Sequence, residues 1–126
     1  MDNRRFLDVN EVAAYKIAYE LSNYVWDVVM KWDWFARKTI GVQFVTSADS
    51  ISANIAEGYG RFHKKDKIKF YHYSRGSASE ALDWTAKAHA RKLLSTDQFQ
   101  HINEGLQKLP KEINILINYT NLKLKI

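Results

Sequence analysis

Apolar residues recur every three or four positions along most of this chain, and that period constrains its fold more than any other feature. From Thr96 to Thr120, the residues Phe99, Ile102, Leu106, Leu109, Ile113, Leu116 and Thr120 step by three and four throughout. At 100° per residue such positions share one side of a helix, whereas a half-buried strand would alternate by two. The chain's single proline, Pro110, falls inside this run. Because the period resumes unchanged beyond it, the proline is expected to bend the helix and not to end it. Ser95 or Thr96 is placed to cap its start.

Three further segments show the same spacing. Over about 9–31, Ala13, Ala14, Ile17, Leu21, Tyr24, Val25, Val28 and Trp32 fall on one face, with Asp8 or Asn10 available as a cap. Over about 36–59, Ile40, Phe44, Ala48, Ile51 and Ile55 make a core seam. Over about 64–92, Phe70, Tyr71, Ser74, Ala78, Ala81, Leu82, Trp84 and Ala88 form the inner arc. The period there continues through Ser74–Ser79, so that run is helix despite its loop-like composition. Gly76 within it points to close approach of a neighbouring backbone. With the segment at about 96–120, these give an all-α, antiparallel up-down four-helix bundle with short links. The 126 residues suit a single domain spanning 1–126, with loose ends at 1–6 and 122–126.

Two helices carry more apolar or small surface than one core can cover. Tyr15, Tyr19 and Trp26 form a stripe away from the core face of the first segment, and Ala53 and Ala56 lie on a second, small-residue face of the next. Such stripes mark these five residues as a candidate oligomer interface, the alternative being burial of the rings under loops.

The chain contains no cysteine, which excludes disulfides, thiolate metal sites and cysteine nucleophiles. No stretch approaches the roughly 20 apolar residues of a membrane span, and no signal-peptide pattern opens the sequence. A cytoplasmic protein that does not engage membranes is the expectation. The four histidines, His63, His72, His89 and His101, form no i, i+3 or i, i+4 pair with each other, so no metal is expected. Asp49 and Glu57 are eight residues apart, about 12 Å along a helix axis, too far to act on one bond. No serine has a histidine at a local activating position. Gly58-Tyr59-Gly60-Arg61 lacks the strand before it and the Gly-Lys-Ser/Thr of a phosphate loop. It reads as a helix end with a left-handed glycine, Arg61 suiting the negative dipole. No catalytic residue and no cofactor is therefore assigned. Glu57 is read as a structural acid, paired to Arg61 four residues on or to Arg75 on the next helix.

Charge is unevenly placed. Residues 61–92 carry nine basic against three acidic residues, a net of +6, whereas residues 1–35 carry four against six. The candidate nucleic-acid-binding residues are Arg61, Lys64, Lys65, Lys67, Lys69, Lys87 and Arg91. Phe62 within this cluster could stack on a base. The alternative is a solvated helix face, and Asp83 partly neutralises it by pairing with Lys87.

The stretch Ser47–Arg61, SADSISANIAEGYGR, followed by FYHYSRGSASEAL, resembles the four-helix-bundle proteins encoded in intervening sequences of 23S ribosomal RNA genes, often labelled ribosomal-protein-like. The residues that carry the resemblance are Asn54, Ile55, Ala56, Glu57, Gly58 and Arg61, then Arg75, Gly76, Ser77 and Glu80. The resemblance covers most of residues 10–120. It implies an up-down bundle assembling into a ring-like homopentamer. It also implies similarity in fold to the accessory variability proteins of diversity-generating retroelements, basic pentamers that bind nucleic acid and a reverse transcriptase. Relatives commonly carry a basic residue before the S-I-x-A-N run, where this chain has the uncharged Val45-Thr46-Ser47. Asn54, Glu57, Arg75 and Glu80 are expected to form a structural polar network.

Residues and resemblance together point to a non-enzymatic homo-oligomer with a basic surface, associated with RNA or DNA. The alternative is a structural or adaptor oligomer that binds another protein through its aromatic and polar stripes.

Overall fold

The computed structural model describes residues 8–125. The expected loose segment 1–6 lies outside them. Four long helices dominate, and there is no strand among the described residues. Helix α1 is Ala13–Val29. Helix α2 spans 34–60 in three unbroken pieces: an α-turn Trp34–Ala36, a π-helical segment Arg37–Gly41 and an α-helix Val42–Gly60. Helix α3 is Lys64–Ala90 and α4 is Thr96–Lys123.

The termini follow local chemistry. Asp8 and Glu11 form a reciprocal capping box around a 3-10 turn, Val9–Glu11, and extended Val12 then separates that turn from α1. The first helix thus starts later than the period suggests. Asp33 accepts from Ala36 N–H at 3.0 Å and opens α2. Ser95 and Gln98 form a second capping box at α4. That helix runs through Pro110 to Lys123, past its expected end. Helix α3 closes in a Schellman motif. Lys92 N–H donates to the His89 carbonyl, Leu93 N–H reaches the Ala88 carbonyl, and Lys92 holds a φ of 62°.

Helix α2 ends differently from expectation. No described glycine has positive φ; α2 is helical through Gly60 and stops where Arg61 turns extended. Gly58 is needed for packing. A methyl group there would lie 2.8 Å from Tyr71 Cε1 and 2.9 Å from the Lys67 carbonyl oxygen. Gly76 also departs from expectation, since a methyl group there would meet nothing within 4 Å. The close backbone approach is the one at Gly58, while at Gly105 a methyl group would lie 2.7 Å from the side-chain atom Leu21 Cδ2.

Each helix packs on its neighbour in sequence, and α1 also packs on α4, so the four enclose one core. Leu21, Val25, Phe44, Ile51, Ile55, Tyr71, Ile102, Leu106, Leu109 and Ile113 fill it. Side-chain bonds tie helix to helix and loop to loop. Ser74 Oγ donates to the Ile51 carbonyl at 2.7 Å, and Trp32 Nε1 donates to the Leu93 carbonyl at 2.9 Å. No buried side-chain nitrogen or oxygen among the described residues lacks a partner, as interior polar groups require.

Candidate nucleic-acid interface

The junction between α2 and α3 gathers cations and aromatic rings. Arg61 leaves α2 in extended conformation and remains exposed. Its Nε bonds Glu57 Oε2 at 3.0 Å, and its guanidinium lies 4.7 Å from the centre of the Phe70 ring. Glu57 thus takes the first of its two expected partners, and both side chains remain about half exposed. Lys69 Nζ lies 5.6 Å from the same Phe70 ring. Phe70 meets Tyr73 edge to face at 5.6 Å, one helical turn along. Phe62 is 73% exposed and meets the His63 ring at a near-right angle, with centroids 5.1 Å apart.

The expected cationic residues separate into distinct roles. Lys64 is half-buried; Lys65 and Lys69 are exposed. Lys67 is structural. Its ammonium donates to the Tyr59 carbonyl at 2.7 Å and the Gly58 carbonyl at 3.4 Å, capping the last carbonyls of α2. Desolvation at that position lowers its pKa from the ordinary lysine value. Lys87 pairs with Asp83 and lies 4.7 Å over the Trp84 ring. Lys87 and exposed Arg91 stand at the far end of α3. At 1.5 Å per residue they are roughly 27–33 Å along the axis from Lys69, so they do not extend the junction cluster.

The residues expected to form a polar network do not join one another in the chain. Asn54 Nδ2 donates to the Ser50 carbonyl at 2.8 Å, Glu57 pairs with Arg61, and Arg75 bonds Asn114 and His72. Glu80 accepts from Trp84 Nε1 at 3.0 Å. All four lie at least partly exposed, outside the apolar core.

The candidate interface residues are likewise on the outside. Tyr15 and Tyr19 stack at 5.8 Å, with Tyr15 half-buried and Tyr19 exposed. Trp26 joins Val29, Met30, Val42 and Val45 along a shallow groove between α1 and α2. Ala53 is exposed and Ala56 half-buried. Asp49, on the same helix, has its pKa raised by desolvation.

Sequence reasoning placed Phe70 and Trp84 on the inner arc and passed over Tyr73. The i, i+3 step from Phe70 to Tyr73 and the Arg61–Phe70 pairing across the helix junction were the signals available. Among the described residues, no group of three or more His, Asp or Glu side chains could hold a metal ion. No helix of the described chain is long and apolar enough to cross a membrane.

Comparison with known proteins bears on the family and the fold. The profile of the 23S rRNA-intervening sequence protein family matches residues 10–115. The fold is similar to the crystal structure of a protein of unknown function from the S23 ribosomal protein family of Bacteroides thetaiotaomicron. That match has a TM-score of 0.74 at 18% identity, covering 83% of this chain and 98% of the other. No curated protein shows a significant match.

Proposed function

The chain belongs to the 23S rRNA-intervening sequence protein family, and on that premise we propose that it is a non-enzymatic, RNA-associated homo-oligomer. The observation that carries the reading is the junction after α2, where Arg61, Lys65 and Lys69 are exposed beside Phe62. Phosphate is the natural counterpart of such a cluster, and binding to it is electrostatic and salt-dependent. The proposed architecture is an antiparallel up-down bundle. Contacts of the start of α3 with the end of α2, and of Ser74 with Ile51, support it. The proposed assembly is a pentameric ring through the aromatic face of α1 and the small-residue face of α2. Exposed Tyr19, Trp26 and Ala53 support that choice. The proposed location is cytoplasmic, in contact with RNA or DNA and without membrane attachment.

The test is a gel shift with RNA at low salt, alongside native mass and the absorbance ratio of the purified protein. Replacing Arg61, Lys64, Lys65 and Lys69 by Gln is expected to weaken binding across sequences and to flatten its salt dependence. Lys67 is left intact, because its ammonium holds the end of α2. Absence of binding at micromolar protein would sink the reading. A second reading, an adaptor oligomer with a protein partner, is favoured by the exposure of Tyr19, Trp26 and Met30. A partner retained after nuclease treatment would select it over the first.

A further inference from the structure

We infer that the α2–α3 junction is a stacking platform for an unpaired stretch of RNA, with Phe62 and Tyr73 receiving base faces and Lys65 and Lys69 meeting phosphates. This rests on the RNA-associated reading above and specifies the form of nucleic acid that the junction takes.

Charge alone would not distinguish a single strand from a duplex. The aromatic rings do. Phe62 is 73% exposed and Tyr73 is 52% exposed. Each makes one ring contact, Phe62 with His63 and Tyr73 with Phe70, and at least half of each residue still faces water. Phe62 stands immediately before α3, and Tyr73 lies about 14 Å along that helix from its first residue. Phe70 lies between them in sequence and is held by Arg61 at 4.7 Å and Lys69 at 5.6 Å. Phe70 in turn meets Tyr73 edge to face, a contact that reduces the rotamer freedom Tyr73 has to lose on binding. Aromatic rings interleaved with cations are how proteins hold single strands, because every base offers a π-face once it is unstacked. In a duplex those faces are covered by neighbouring bases, and an RNA duplex is recognised by its shape, phosphates and 2′-hydroxyls. Local charge complements the strand through Lys64, Lys65 and Lys69, with Asp66 the one acid among residues 61–69; Arg61 is paired with Glu57 and Lys67 caps α2.

Fluorescence anisotropy with an unpaired RNA of about twelve nucleotides and with a duplex of equal length tests the inference at one fixed low salt concentration. The full chain is expected to prefer the unpaired RNA by about tenfold, the lower part of what one to two base stacks supply. Phe62→Ala and Tyr73→Ala should each weaken the unpaired complex several-fold and leave the duplex complex unchanged. Circular dichroism should show both variants folded, because neither ring belongs to the core. RNA binding that is equal for the two probes and indifferent to both substitutions would overturn the stacking platform while leaving the RNA-associated reading in place. Failure to bind either probe would bring down that reading and this inference with it.

Discussion

Tyr71 is the largest fully buried side chain, and its surroundings explain why Gly58 is a glycine. The ring occupies the space that a side chain on Gly58 would need, so α2 and α3 approach closely at that point. Burial is the main cause that pushes the Tyr71 hydroxyl up to about 12; nearby Tyr59 acts in the same direction and Thr120 in the opposite one. The folded state therefore keeps a proton that the unfolded chain releases near pH 10. The group's stabilising contribution is complete below pH 10 and is lost as pH rises towards 12. Tyr71→Phe removes the ionisable hydroxyl and is expected to change stability at neutral pH by about 1 kcal/mol or less. Its stability should then fall less steeply than wild type between pH 10 and 12. Urea unfolding across that range measures both, and parallel pH profiles would refute the assignment.

At the scale of the element, the helix ends separate what the sequence discloses from what it conceals. The cap of α4 was legible as Ser95 or Thr96 because its chemistry is local; the structure selects Ser95 and adds Gln98, three residues on, as the second half of a capping box. The end of α3 was not, because its left-handed residue is Lys92 and not a glycine. A non-glycine residue in that conformation is disfavoured by about 1 kcal/mol. Lys92→Gly is accordingly expected to stabilise the fold by about 0.5–1 kcal/mol, read as a higher urea midpoint with an unchanged slope. A lower midpoint would show that the lysine side chain contributes more than its backbone costs. The end of α2 illustrates the opposite error. Two glycines suggested a left-handed terminus, yet Gly58 serves packing and the terminal carbonyls are held by Lys67, nine and eight residues away. Long-range partners of this kind leave no periodic trace. The core seams fared better. Ile40, Phe44, Ala48, Ile51 and Ile55 are all buried, as their spacing requires. The first helix shows the limit of such patterns. Ala18 and Val29 are buried beside Leu21 and Val25, while Ala13 is exposed, so the true face is rotated from the one read. The π-helical segment Arg37–Gly41 also had no sequence signature. It sets buried Gly41 where a methyl group would lie 2.8 Å from Val29 Cγ1.

For the whole molecule, the question is what covers the surface that one bundle leaves open. Tyr19, Trp26, Met30 and Val42 are each about half exposed, and Trp26, Met30 and Val42 border a groove between α1 and α2. A contiguous apolar surface of this kind is the usual mark of an interface. Ala53, exposed further along α2, would let a neighbouring helix come close. Introducing charge on both helices should therefore break up the proposed homo-oligomer without disturbing the core, since a desolvated carboxylate without a partner is heavily disfavoured. The double substitution Tyr19→Glu and Ala53→Glu is expected to retain helical circular dichroism. Its mass by light scattering should fall to that of smaller species. A folded variant with undiminished mass would place the assembly surface elsewhere, and the exposed aromatic face would then belong to a different partner.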